Sequence, residues 1–222
     1  MFINGEPISK YGGIMLGTPR VSNAEYTSTY SYQRTRSTIR HLSHDIGMKT
    51  LEVNVAFLGD SIHEIQMKRS VFRAALIGLV DLSFTQDGFS YFSEYLGDAE
   101  LESEYNGAVM SKFKFSAVQH LPLKKVTGTK VFCESTVPIT DCKLTAIMPV
   151  TGTNFILGPV KFLHAFEGTL AVADGINGLI TEDGYSLQTS FVHLPYLVPG
   201  DNEIETTADP STVTIEYYPT FL

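Results

Sequence analysis

The residues best placed to do chemistry are Gly59-Asp60-Ser61-Ile62. Leu51, Val53, Val55 and Phe57 alternate with more polar neighbours, which predicts a strand over 49–58, and helical spacing begins at Ile62. Ser61 therefore falls at a strand-to-helix turn. A serine there is a nucleophile only if a histidine takes its proton and a carboxylate orients that histidine. The C-terminal part of the chain offers no Asp-x-x-His pair to do this, and no βαβ alternation builds a parallel sheet beneath the turn. The same residues have a plainer use. Asp60 or Ser61 can cap the helix, and Glu64, three after Ser61, completes a capping box.

Other chemistry-bearing groups are sparser. His41, His44 and Asp45 could ligate a metal, but a spacing of three on an extended segment puts the two imidazoles on opposite faces. No second ligand pair stands at metal-site spacing. His164 and His193 sit among strand-forming residues. The carboxylates between Asp81 and Glu104 lack the spaced Asp/Asn and Gly of a calcium loop. No phosphate-cradling glycine loop, zinc-protease helix or dinucleotide fingerprint is present, so neither cofactor nor metal is expected and the chain does not read as an enzyme. Cys133 and Cys142 read as reduced thiols in or near a core, with pairing left open. Tryptophan is absent, which weakens a sugar-stacking role without removing it, since tyrosine can stack as well.

Behind these groups stand the elements that would position them. The helix is expected over 60–78, with Gly78 as C-cap and Ile62, Ile65, Phe72, Leu76 and Leu79 on its buried face. Lys68, Arg69 and Arg73 are read as lying mostly off that stripe, toward the C-terminal half where cations suit the helix dipole. Strands are expected over 80–84, 89–96 and 109–118, with a turn at Gln86-Asp87-Gly88 and an acidic loop over 97–107. Strands, one helix and further strands describe an α+β unit with antiparallel pairing. The stretch 22–40 is dominated by Thr, Tyr and Ser, and neither alternate face is apolar. It reads either as a solvated hairpin or as an arm packed on another subunit, tyrosine suiting both.

The run Leu121-Pro122-Leu123-Lys124-Lys125 is the expected boundary between a first domain over 1–123 and a second over 124–222. Beyond it nothing looks helical. Eight of the ten prolines lie from Pro122 onward among Gly and Asp turns, with short strands over 130–137, 142–148, 155–157, 169–172, 178–180, 186–192, 202–206 and 213–217. This is the pattern of a β-sandwich or jelly roll, so the chain as a whole is expected to be mainly β. Charge divides with the domains: residues 1–130 carry a net +1 and residues 131–222 a net −9. An acidic, lysine-poor second half argues against holding a phosphate backbone or an anionic membrane through that half. No run is long enough to span a membrane. The N-terminal MFINGEPISKYGG has no apolar signal region, so synthesis in a cytoplasm is expected.

Laid out this way, the chain resembles the distal tail proteins of siphophages that infect Gram-positive bacteria. Three places carry the resemblance. One is the strand over 51–58 running into the helix, then Leu79-Val80-Asp81-Leu82-Ser83-Phe84, Gln86-Asp87-Gly88 and an aromatic strand. Another is the strand around 113–118 before Leu121-Pro122. The third is the run LPYLVPGDNEIETTADPSTVTIEYYPTFL from Leu194, with its Pro-Gly-x-Asn turn and aromatic final strand.

The resemblance implies an N-terminal β-sandwich with one packed helix, six copies of which form a ring, and a galectin-like second β-sandwich projecting outward. It implies a place at the virion tail tip. The partners would be the tail tube protein, a tail-associated fibre or lysin protein and, nearby, receptor-binding proteins, with DNA passing through the channel unread. It also offers a use for the tyrosine-rich stretch, placing Tyr26, Tyr30, Tyr32, Arg34, Arg36 and Arg40 at the subunit contact, with the acidic segment 98–104 as a candidate partner surface. The compact second half has no long insertion of the kind that carries added sugar-binding modules in this family. Two other functions remain open on sequence: a carbohydrate-binding module or adhesin recognising host cell-wall glycans, and an esterase of the GDS type acting through Ser61.

Overall fold

The computed structural model describes the chain except for residues 25, 32–39, 86–87, 102–106, 150, 152–153, 165 and 187; for 26–31, 40–46, 100 and 101 it describes the backbone. The chain divides into two compact units, Met1–His120 and Leu121–Phe221.

The first unit is built on β1 (Phe2–Ile3), β2 (Glu6–Pro7), β3 (Gly13–Val21), β4 (Tyr26–Ser31), β5 (Arg40–Ile46), β6 (Lys49–Leu58), the helix α1 (Ile62–Ala74), β7 (Leu79–Ser83), β8 (Ser90–Leu101) and β9 (Ala108–His120). Seven of these strands form a sheet in the order β2-β1-β7-β8-β9-β6-β3, while β4 and β5 make a separate two-stranded antiparallel ribbon. Every pairing within the seven-stranded sheet is antiparallel. The period-two pattern of β6 is realised directly. Leu51, Val53 and Phe57 face inward opposite Phe115, Phe113 and Val109 of β9.

Onto this face packs α1. Ile65, Phe72 and Leu76 are fully buried, and the Phe72 ring lies 4.8 Å from Phe113 and 5.5 Å from Phe57 in edge-to-face geometry. A short 3₁₀ turn (Ile8–Tyr11) runs alongside and ends at Gly12, φ +77°, where a Cβ would come within 2.8 Å of Lys68 Cγ. Gly12 thus supplies both a left-handed conformation and the close approach of the chain to the helix.

The helix is shorter than expected from sequence. Its last turn tightens to bonds from Leu76 N–H to the Arg73 carbonyl and from Ile77 N–H to the Ala74 carbonyl. Ala75 stands at the C-cap, and Gly78, φ +87°, belongs to the turn into β7 instead. Leu79 is not a core residue of the helix. It lies in β7, whose inward positions are Val80 and Leu82, so it points to the opposite face and is 73% exposed. Ile62, in the first turn, is exposed as well. The segment after Gly97 is strand rather than acidic loop, because β8 keeps pairing with β9 as far as Leu101.

The second unit comprises β10 (Lys124–Thr127), β11 (Lys130–Cys133), β12 (Thr140–Ile147), β13 (Phe155–Leu157), β14 (Val160–Phe162), β15 (Leu170–Asp174), β16 (Leu179–Glu182), β17 (Thr189–Phe191), β18 (Tyr196–Leu197), β19 (Gly200–Glu203) and β20 (Thr214–Tyr217). Its main sheet runs β10-β20-β12-β15-β16, with β13-β14-β17 and β11-β19 as smaller sheets. Leu144, Ile215 and Tyr217 of the main sheet share one buried cluster with Leu157, Val160 and Phe162 of the second sheet and Cys133 of the third. This is sheet-on-sheet packing with no helix in the core. Residues 124–127, for which no strand was expected, form β10 and pair along β20, and the compact units divide at His120–Leu121.

Because Phe72 fills the space between Phe57 and Phe113, Phe72→Ala is expected to cost about 3–5 kcal/mol, the range for emptying a buried aromatic site. Against a total of roughly 5–15 kcal/mol, that threatens the first unit while sparing the second. Urea unfolding followed by circular dichroism and tyrosine fluorescence checks it; a loss under about 0.5 kcal/mol, typical of a surface change, would refute the packing role.

Candidate functional site

The serine at the strand-to-helix turn is occupied structurally. Ser61 Oγ accepts from the Glu64 N–H at 3.2 Å, and Glu64 Oε2 accepts from the Asp60 N–H at 3.0 Å. These two bonds make a variant of the capping box in which Glu64 reaches the residue before the Ser61 cap, and they hold the hydroxyl at the helix end. Among the described residues no three His, Cys, Asp or Glu side chains gather as metal ligands. His41, His44 and Asp45 lie on β5, where only the backbone is described. His193 is exposed, with Nδ1 2.9 Å from the Leu194 carbonyl and its ring 4.8 Å from that of Tyr196. Cys133 and Cys142 are free and buried. Burial pushes the Cys142 thiol up to about 12, which keeps it protonated and unreactive. No described helix is long and apolar enough to cross a membrane.

Among the described residues the most buried cluster of charge is structural, and sequence reasoning missed it. Arg69 was expected off the apolar stripe, yet Ile65, Arg69, Phe72 and Leu76 follow one another at helical spacing, and Arg69 is buried with the others. Its partner is Asp98. In β8 the residues Tyr91, Ser93 and Tyr95 turn toward the core side, so regular alternation would turn Asp98 outward. A bulge intervenes: Tyr95 pairs with Phe115 but Gly97, φ +146°, pairs with Lys114, leaving Leu96 over. Parity shifts by one, and Asp98 comes opposite Phe113, on the side covered by α1.

There Asp98 Oδ2 accepts from Arg69 at 2.6 Å and from Arg73 Nη2 at 2.7 Å. Its Oδ1 accepts from Arg73 Nε at 2.9 Å and from the Tyr95 hydroxyl. The Asp98 side chain is 4% exposed and that of Arg69 7%. Burial alone would push the carboxyl up, but the bonds from Arg73, Tyr95 and Arg69 outweigh it and hold the group at about 2. Burial and the Asp98 bond push Tyr95 up to about 12. Asp98 is therefore spent inside its own unit and is no partner surface for another chain. Residues 102–104 of that expected surface lie outside the described residues.

The expected subunit contact divides likewise. Tyr26 and Tyr30 lie on β4 and Arg40 on β5, paired from Tyr26↔Ile46 to Ser31↔Arg40 with a register shift between Thr29 and Tyr30. Tyr32, Arg34 and Arg36 lie outside the described residues. Among the described residues this ribbon pairs with no other strand.

No known protein-family profile and no curated protein sequence matches this chain. Solved structures do. The whole of it, 100%, superposes on 98% of the crystal structure of SPP1 Dit (gp 19.1), with a TM-score of 0.69 at 13% identity. The chain has the fold of SPP1 Dit. That protein is described as a paradigm of the hub adsorption apparatus in phages infecting Gram-positive bacteria. A chain of the phage p2 baseplate in its activated, strontium-bound conformation matches over 95% of this chain and 91% of its own length, with a TM-score of 0.50 at 10% identity. The likeness to SPP1 Dit runs through both units, so the pairing of a helix-covered sheet with a β-sandwich is common to the two chains.

Asp98→Asn is expected to destabilise the first unit by about 3–5 kcal/mol, because it strands the buried Arg69 cation. The pH dependence has a definite sign. The carboxyl titrates lower folded than unfolded, so its contribution is present above about pH 4 and fades as pH falls toward 2, amounting to about 2 kcal/mol. Acid unfolding of wild type and Asp98→Asn compared at fixed urea should show the gap between them narrowing by about 2 kcal/mol over that interval; a constant gap would mean that the carboxylate is not the bonded form.

Proposed function

We propose that this chain is a structural component of a phage tail tip, a distal tail protein whose first unit closes into a hexameric ring and whose second unit projects from it. The observation that carries the reading is the end-to-end match to SPP1 Dit, a hub protein, across both units. In this reading the ring joins the tail tube to a fibre or lysin protein and to the receptor-binding apparatus, with DNA passing through without sequence recognition. The protein belongs to the virion and is made in the bacterial cytoplasm. It performs no catalysis, and the use of Ser61 as a helix cap supports this.

The ribbon supports the ring independently of any likeness. An isolated two-stranded ribbon is marginal in water, and β4–β5 pairs with no other described strand. A neighbouring copy that covers it gives it a surface to pack on. Tyr26, Tyr30 and Tyr32 then contribute ring area, while Arg34, Arg36 and Arg40 meet carboxylates. One patch meeting a different patch on the next copy is a heterologous contact, which closes into a ring when its rotation allows.

Native mass spectrometry over a range of concentrations is expected to find hexamers in exchange with smaller species. Replacing Tyr30 and Tyr32 by Ser should move the distribution to monomer and leave the circular dichroism of the fold unchanged. A wild type that stays monomeric at high concentration, and binds neither tail tube nor fibre proteins, would sink the ring and turn attention to glycan binding by the second unit.

A further inference from the structure

The outermost positions of α1 carry no formal charge, although Glu64, Lys68 and Arg73 flank them with side chains 43%, 37% and 43% exposed. His63, Gln66, Met67, Ser70, Val71 and Ala74 are its exposed central positions, with Ile62 before them and Ile77 after. The helix does contain charged residues, and each is engaged elsewhere. Glu64 and Lys68 bond to each other at 2.7 Å while also binding the Asp60 N–H and the Leu58 carbonyl. Arg69 and Arg73 hold Asp98. A surface helix ordinarily turns its charged residues to water and its apolar ones inward. Here the outermost strip has instead Met67 and Val71 one turn apart, 54% and 49% exposed, while Ile77, in the turn beyond the helix end, is 81% exposed. Depletion of charge around apolar side chains is the composition of an interface centre, not of a free surface.

We infer that this strip, centred on Met67 and Val71, is the seat for the β4–β5 ribbon of a neighbouring copy. The inference rests on the ring reading above and names the surface that the ribbon meets. Among the described strands of the first unit only β4 and β5 lie outside the main sheet, and the first of them, Tyr-Thr-Ser-Thr-Tyr-Ser, carries no formal charge. Met67, Val71 and Ile77 remain exposed with the chain's own ribbon in place, so a ribbon that covers them comes from another copy. The two surfaces are unlike each other. That makes the contact heterologous, the kind a ring needs.

Two measurements on the full chain test this. With a benzophenone amino acid at position 67, irradiation of the assembled protein should join two copies, and the joined peptide should fall within residues 26–46. Val71→Glu, which puts a charge into the strip at an exposed position, should raise the concentration needed for assembly at least about tenfold, the effect of 1.4 kcal/mol, while thermal unfolding of the monomer stays put. Val71→Ile should assemble as wild type does. Crosslinks mapping elsewhere, or a Val71→Glu variant that assembles normally, would overturn the seat. If the Tyr30 and Tyr32 replacements break the assembly and Val71→Glu does not, the ring stands and the helix seat falls. A wild type that never assembles removes both.

Discussion

The first unit depends on one buried carboxylate reaching two arginines. Asp98 stands on a strand in a register that would otherwise turn it to the far side, and the extra residue at Leu96 brings it under α1. The apolar contacts of Ile65, Phe72 and Leu76 drive the helix onto the sheet, since burying each such side chain is worth roughly 1.5–3 kcal/mol. They are tolerant of sliding and rotation. The ion cluster is not: Arg69 and Arg73, four residues apart on the helix, must both meet the two oxygens of a single side chain on β8. A leucine at 69 would bury as well and avoid the desolvation of a cation, so the net stability of the cluster is modest. What it contributes is the position of the helix along and about its own axis.

This explains which parts of the fold were legible in sequence. The β6 strand, the capping box and the core positions Ile65, Phe72 and Leu76 follow from periodicity and local hydrogen-bonding chemistry, and each of those signals is carried by residues close together in the chain. Arg69 was misplaced because a charged residue at a core spacing is normally read as surface, and its partner lies 29 residues away. Leu79 was misplaced for the opposite reason. It extends the helical spacing of Leu76, but the chain has already left the helix at Ala75, and strand alternation then decides its direction. The bulge had a faint signature in Gly97, yet a glycine followed by acidic residues reads equally well as a loop.

The second unit was legible in kind more than in detail. Turn residues at short intervals announced a β-sandwich, and most of its strands fell near their expected places. β10 was hidden because Lys124-Lys125-Val126-Thr127 directly follows Leu-Pro-Leu at an evident composition break, and only pairing with β20, about ninety residues on, makes it a strand. Val160–Phe162 was hidden because its apolar residues are too few to establish a period. Strand partners distant in sequence are the information that periodicity does not hold.

The internal cluster and the outward strip of α1 are two sides of one allocation of charge. A helix of thirteen residues with four charged side chains would ordinarily keep them in water. Here Glu64 and Lys68 tie the helix start to the end of β6, and Arg69 and Arg73 tie its second half to β8. With the charges drawn to the flanks and underside, the outward strip is left to neutral and apolar side chains, including Met, which adapts its shape to whatever packs on it. An isolated monomer gains nothing from this arrangement, since an exposed apolar strip favours non-specific association. On the proposed ring, a subunit fixed rigidly to its own sheet while offering a largely neutral strip to a neighbour would gain on both counts, because the groups that hold the helix would not be those that meet the partner.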